Sequence, residues 1–144
     1  MVSMVTYHGF GGALTVAAKE VGIDLKAVVE PGGFGAQAIE RNRELLGFEG
    51  PIEVGKRYGD HEGAILAGNP PCSCWSTLNS SRGVGGRGAD SNRLQGTKDF
   101  VDYAARTRPH VAVMESVQQA YTQGQATYRA MWQELREATG LPYH

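Results

Sequence analysis

Cys72 stands behind two consecutive prolines in the stretch AGNPPCSCWS, and Glu115 ends the apolar run VAVM 43 residues later. A sulfur nucleophile, together with a carboxyl able to give up a proton, is a minimal set for covalent catalysis at an electron-poor centre. Pro70 and Pro71 restrict the backbone on one side of Cys72. That suits a nucleophile that must be placed to within roughly 0.5 Å. A free thiol, with a pKa of about 8.5, needs positive or dipolar surroundings to ionise at neutral pH. Residue type alone leaves two other readings of Cys72 open: a small buried hydrophobe, or half of a metal site. The spacing Cys72-x-Cys74 offers no second ligand pair for a metal, and Cys74 reads as a neighbour without a chemical role.

A second group opens the chain. Gly9, Gly11 and Gly12 sit between MVTY and ALTVAAKEVG, and Glu30 closes LKAVVE about 20 residues on. Glycines at a strand-to-helix turn let a ligand approach the backbone, where a helix N-terminus has unpaired N–H groups. An acidic residue ending the next strand is placed to hold ribose hydroxyls. Leu14 occupies the place of the third glycine of a dinucleotide fingerprint, so a pyrophosphate cofactor such as NAD is less well supported than S-adenosylmethionine. The plainer reading, a tight turn beside a solvated strand end, stays open, because short glycine motifs carry a high false-positive risk.

The elements that must carry these residues alternate. Strands are expected at MVTY, LKAVVE, GAILAG and PHVAVMES, with a short one within PIEVGKRYGD. Helices are expected at ALTVAAKEVG, AQAIERNRELLG, LQGTKDFVDYAARTR and QATYRAMWQELREATG. Gly22, Gly47 and Gly140 are the expected helix stops. Met131, Trp132 and Leu135 read as core residues of the last helix. LPYH reads as the approach to another strand. Strand–helix alternation implies βαβ units and a mostly parallel sheet, an α/β fold of Rossmann-like type. Between Ser73 and Arg93 there is little apolar periodicity. A loop of that length is usually functional, and this one begins at Cys72.

The bulk composition sets limits. The chain has 144 residues, 41% apolar and 20% charged, with a net charge of −1. That fits one domain and argues against coating nucleic acid by bulk charge. A local patch remains: Arg82, Arg87, Arg93 and Lys98 against Asp90 leave Ser76 to Lys98 at +3. This reads either as a grip on phosphates or as a solvated loop. No segment resembles a signal peptide or approaches bilayer-spanning length, so the cytoplasm is the default compartment and no membrane association is expected.

The pattern Pro70-Pro71-Cys72-x-x-x-Ser76, with an aromatic before the serine and MESV downstream, resembles the DNA (cytosine-5)-methyltransferase family. The resemblance covers most of the chain. YHGFGG is similar to the family's first motif, GNPPCSCWS to its catalytic loop, and the run ADSNRLQGTKDFVDYAARTRPHVAVMESV to the stretch ending in its Glu-Asn-Val motif. Two departures stand out: Ser116 replaces the asparagine, and His8 occupies a position usually held by a small residue.

The resemblance implies an S-adenosylmethionine-dependent methyltransferase fold and specific roles. Cys72 is the nucleophile and Glu115 the acid that protonates ring nitrogen 3, kept partly protonated by burial. Tyr7, Gly9, Phe10, Gly11, Gly12, Glu30, Pro31, Asp60, Asn69 and Pro71 form the cofactor site. Glu30 holds the ribose, and Asp60, 12 residues before Cys72, reaches the adenine. Ser76, Arg82, Arg87 and Arg93 face double-stranded DNA. No metal is implied. Relative to the family, the C-terminal part and the target-recognition domain are missing. The chain is then expected to be a partial catalytic domain over residues 1–144, acting as a fragment or as a split subunit completed by a second chain. An inactive truncated relative that binds cofactor or partner is the alternative.

Overall fold

The computed structural model describes residues 1–30, 32–55, 59–75 and 94–144, with only the backbone for Phe10. Two compact units are seen: Met1–Asn69 with Pro109–Met114, and Pro70–Arg108 with Glu115–His144.

The first unit is built on five parallel strands: β1 (Ser3–Tyr7), β2 (Asp24–Glu30), β3 (Ile52–Val54), β4 (Ile65–Gly68) and β5 (Val111–Met114). Their order is β3-β2-β1-β4-β5. The chain runs outward from β1 through β2 to β3, then returns to the other side of β1 with β4 and β5. The strand order therefore reverses between β1 and β4, and in such sheets ligands gather outside the carboxyl ends at that point. Consecutive residues Met4, Val5, Thr6 and Tyr7 are all buried. A central strand covered on both faces shows such an unbroken run.

Helix α1 (Ala13–Glu20) returns the chain from β1 to β2, and α2 (Gly33–Arg41) with α3 (Arg43–Leu46) returns it from β2 to β3. Ala18 of α1 packs with Met4 and Ala67, joined by Leu14, Ile23, Leu25 and Ile65. Ile39 of α2 packs with Val28 and Phe48. The single helix expected over residues 36–47 is in fact two. Asn42 interrupts it, its side-chain amide donating to the Ala38 carbonyl at 2.7 Å. Asparagine offers the backbone this kind of local alternative. Gly22, Gly47 and Gly140 do stop their helices, at φ of 70°, 61° and 71°.

The second unit contains α4 (Gln95–Thr107), α5 (Gln118–Thr122) and α6 (Gln125–Thr139). Phe100, Tyr103 and Ala104 of α4 and Met131 and Leu135 of α6 are buried. Trp132 is only half-buried. LPYH forms no strand. Tyr143 is buried, and its carbonyl accepts from Arg136 Nη1 at 2.8 Å. Arg108, left-handed at φ 50°, ends α4 and donates to the Thr139 carbonyl at 2.5 Å. The tail is thus held by arginines that satisfy carbonyls at and beyond the end of α6.

Candidate functional site

In the first unit the residues gather around Glu30. Tyr7 ends β1, and its ring stacks on His8 with centroids 4.4 Å apart. His8 is left-handed at φ 54° and donates its backbone N–H to the Val29 carbonyl at 2.7 Å. The chain is thereby turned so that the buried Gly9 N–H donates to Glu30 Oε1 at 2.8 Å. Gly11 and Gly12 follow at φ 61° and 110°, a region that favours glycine. Gly12 also has little room, since a Cβ there would lie 3.1 Å from Ile39 Cγ1.

The Glu30 side chain is nearly enclosed, with 5% of the residue exposed. Burial raises its pKa above the usual carboxylate value, and the Gly9 N–H opposes that shift only in part. The residue alignment at 33–35, Gly-Phe-Gly, had no assigned role in the sequence. Gly35 has one, because a Cβ there would stand 2.8 Å from Glu30 Oε2. Among the described residues no cation pairs with this carboxylate. A buried carboxylate has about four acceptor sites, and Gly9 takes one. The rest suit a diol such as the ribose of S-adenosylmethionine.

Other expected cofactor residues are placed less centrally. Asn69 follows β4, and its N–H is shared between the carbonyls of Tyr7 and His8, each at 3.2 Å. It therefore sits at the point where the strand order reverses. Asp60 is exposed; its neighbour His61 meets Glu53 Oε1 on β3 at 2.8 Å. Pro31 and the Phe10 side chain lie outside the described residues.

The second unit holds the expected chemistry. Cys72 is half-buried and Cys74 almost wholly buried, both as free thiols. The Trp75 N–H donates to the Cys72 carbonyl at 3.0 Å, closing a turn that starts at the cysteine. Trp75 is buried and tilted by 47° against Tyr128, with centroids 6.2 Å apart. The Tyr128 hydroxyl lies 3.5 Å from Ser116 Oγ. The Cys72 turn and the residue after Glu115 thus both reach Tyr128, which sequence reasoning did not single out. Cys72 follows the end of β4 by four residues and Glu115 follows β5 directly, and the ends of those adjacent strands, Gly68 and Met114, are paired. Glu115 itself is exposed. The burial expected of Glu115 is therefore not supplied by the described residues, and the strand that leads into it is itself half open, with Val111 and Val113 about half exposed.

Ser76, Arg82, Arg87 and Arg93 lie outside the described residues. Among the described residues, no three metal-ligating side chains cluster, and no helix is long and apolar enough to cross a membrane.

No protein-family model matches the chain, and no curated protein matches it. Solved structures do. One is the tRNA (uracil-54, C5)-methyltransferase of Pyrococcus abyssi in complex with S-adenosyl-L-homocysteine, at a TM-score of 0.55 and 17% identity. The match covers 90% of this chain and 27% of that one, so the chain spans about a quarter of that enzyme's length. The likeness shows the fold: this chain is a Rossmann-like α/β protein with a parallel sheet, built like part of an S-adenosyl-L-homocysteine-bound methyltransferase.

Proposed function

We propose that this chain is the cofactor-binding and nucleophile-bearing part of an S-adenosylmethionine-dependent methyltransferase acting at carbon 5 of cytosine in DNA. The observation that carries the reading is the Glu30 carboxylate at the end of β2, bounded by Gly9 after β1 and Gly35 in the first turn of α2. A fold shared with a structure that holds S-adenosyl-L-homocysteine supports it. The Pro-Pro-Cys-x-x-x-Ser pattern leaving β4 supplies the choice of cytosine.

Glu30 accepts the ribose hydroxyls, Asp60 the adenine amino group, and the glycine turn lets the ligand lie against the backbone. When bound, S-adenosylmethionine supplies an electrophilic methyl group. Cys72 Sγ adds to ring carbon 6, while Glu115 donates a proton to ring nitrogen 3. The ring becomes an enamine, and carbon 5 gains the electron density it lacks in cytosine. Carbon 5 would then bond to the methyl group as that group's bond to the sulfonium sulfur breaks, releasing S-adenosylhomocysteine. Water would take the carbon 5 proton, Cys72 would leave as thiolate, and nitrogen 3 would return its proton to Glu115, restoring the aromatic ring. The base must leave the helix stack to reach such a site. Arg82, Arg87 and Arg93 grip phosphate, which positions the duplex without reading it.

A second reading has one observation in its favour: the structural neighbour is a C5-methyltransferase of tRNA uracil. Addition of sulfur to carbon 6 serves uracil equally. An inactive module that keeps only the Glu30 pocket is the third.

The experiment uses duplex DNA containing 5-fluorocytosine, and tRNA containing 5-fluorouridine, each with S-adenosylmethionine. The chain is tested alone and with a downstream methyltransferase half. The expected result is a covalent adduct with the DNA, mapped to Cys72, when the second half is present. An adduct with the RNA alone would move the substrate to uracil. Absence of both, with S-adenosylhomocysteine still binding, would make the chain a binding module.

A further inference from the structure

Pro71, just before Cys72, and Trp75, three residues after it, rest against glycines of the second unit. On one side, a Cβ at Gly96 of α4 would lie 2.6 Å from Pro71 Cδ. On the other, a Cβ at Gly124 would lie 2.9 Å from both Cε2 and Cζ2 of Trp75, and 2.7 Å from the Ala120 carbonyl. Neither glycine is needed for its backbone. Gly96 is the second residue of α4, where a helical backbone suits alanine better than glycine. Gly124 has φ −90° and ψ 0°, which other residues adopt. Space is what selects glycine at both places. Trp75 Nε1 meets no hydrogen-bond partner among the described residues, so the indole is seated by shape and by Tyr128 rather than by a polar contact.

We propose that Pro71 on Gly96 and Trp75 on Gly124 form a clamp that holds the Cys72 turn closed, with Trp75 as the positioning residue of the sulfur. The turn is short, from Cys72 to Trp75, so the placement of the indole fixes the hydrogen bond from the Trp75 N–H to the Cys72 carbonyl. The cysteine is then set from both flanks, one by a rigid ring and one by a large buried ring. This rests on the reading of Cys72 as the nucleophile, but the clamp itself is measurable without any reaction.

Amide hydrogen exchange on the full 144-residue chain is the test. Trp75→Ala should speed exchange at the position-75 amide by about tenfold or more, leaving the Leu135 amide in α6 unchanged, because local opening is read separately from global unfolding. Trp75→Phe should stay within about threefold of the parent, since it keeps a ring and loses no hydrogen bond. Adding Gly124→Ala to Trp75→Ala should change position 75 no further. Gly96→Ala should also open the turn, although alanine favours a helix. In the presence of a downstream half, Trp75→Phe should keep the 5-fluorocytosine adduct on Cys72 and Trp75→Ala should lose it at unchanged affinity for S-adenosylhomocysteine. Unchanged exchange at position 75 in Trp75→Ala, or equal acceleration at Leu135, would overturn the clamp. A parent chain that gives no adduct would overturn the functional reading, and the exchange data would still judge the clamp.

Discussion

Gly9 and Glu30, 21 residues apart, are joined by a 2.8 Å hydrogen bond from the backbone N–H to a buried carboxylate oxygen. Two opposed effects meet there. Burial disfavours the charge and is the larger, while the hydrogen bond favours it. The folded chain therefore holds a proton on Glu30 more tightly than the unfolded chain does. Stability from this group is present below the usual value of 4.5 and is lost as pH rises through the raised folded value.

It follows that Glu30→Gln should cost the ligand-free chain little at neutral pH, and should gain relative to the parent as pH rises from about 4.5. The same substitution should weaken S-adenosylmethionine binding by about 1–3 kcal/mol, the cost of unpaired polar partners. Thermal unfolding between acid and neutral pH, together with calorimetric titration, checks both halves. A variant that loses stability without losing affinity would make Glu30 a structural residue.

Gly35→Ala tests the same pocket from the other side. Its Cβ would stand 2.8 Å from Glu30 Oε2 and 3.3 Å from Gly11 Cα. Overpacking of this kind costs about 1–3 kcal/mol, and α2 or the carboxylate must shift. Urea unfolding should show the loss, and cofactor affinity should fall with it. Affinity held at the parent level would mean that Glu30 can move without consequence.

The two cysteines should separate cleanly. Cys72→Ala should abolish the 5-fluorocytosine adduct while leaving the fold intact, because Cys72 is only half-buried. Cys74 is 1% exposed, so Cys74→Ser buries a hydroxyl and should cost about 1–3 kcal/mol. Its adduct should persist at temperatures where it remains folded. Peptide mapping that finds the adduct on Cys74 would refute the assignment.

Phe100 is fully buried in α4. Phe100→Ala should cost about 3–5 kcal/mol, as large-to-small core changes do. Denaturant titration measures it. A loss below 1 kcal/mol would show that α4 contributes little to the stability of its unit.

Much of this protein was determined by local sequence. Strand and helix alternate because apolar runs of strand length alternate with helical periodicity, and Gly22, Gly47 and Gly140 stop helices because the left-handed turn favours glycine. Glu30 was legible for the same reason, as an acidic residue ending a buried strand. Other features were settled by particular side-chain contacts that periodicity does not register. Asn42 breaks a helix that its periodicity supports, and LPYH folds back as a tail because Arg136 reaches the Tyr143 carbonyl. Val111 and Val113 are half exposed because β5 lies at the edge of the sheet, a position that strand order decides and strand composition does not. The roles of Gly35, Gly96 and Gly124 depend on what stands less than 3 Å from a Cβ they lack; for Gly96 and Gly124 this includes a side chain remote in sequence, Pro71 and Trp75. Propensity and periodicity act over a few residues, so they place elements along the chain. Close approach exists only once those elements have packed.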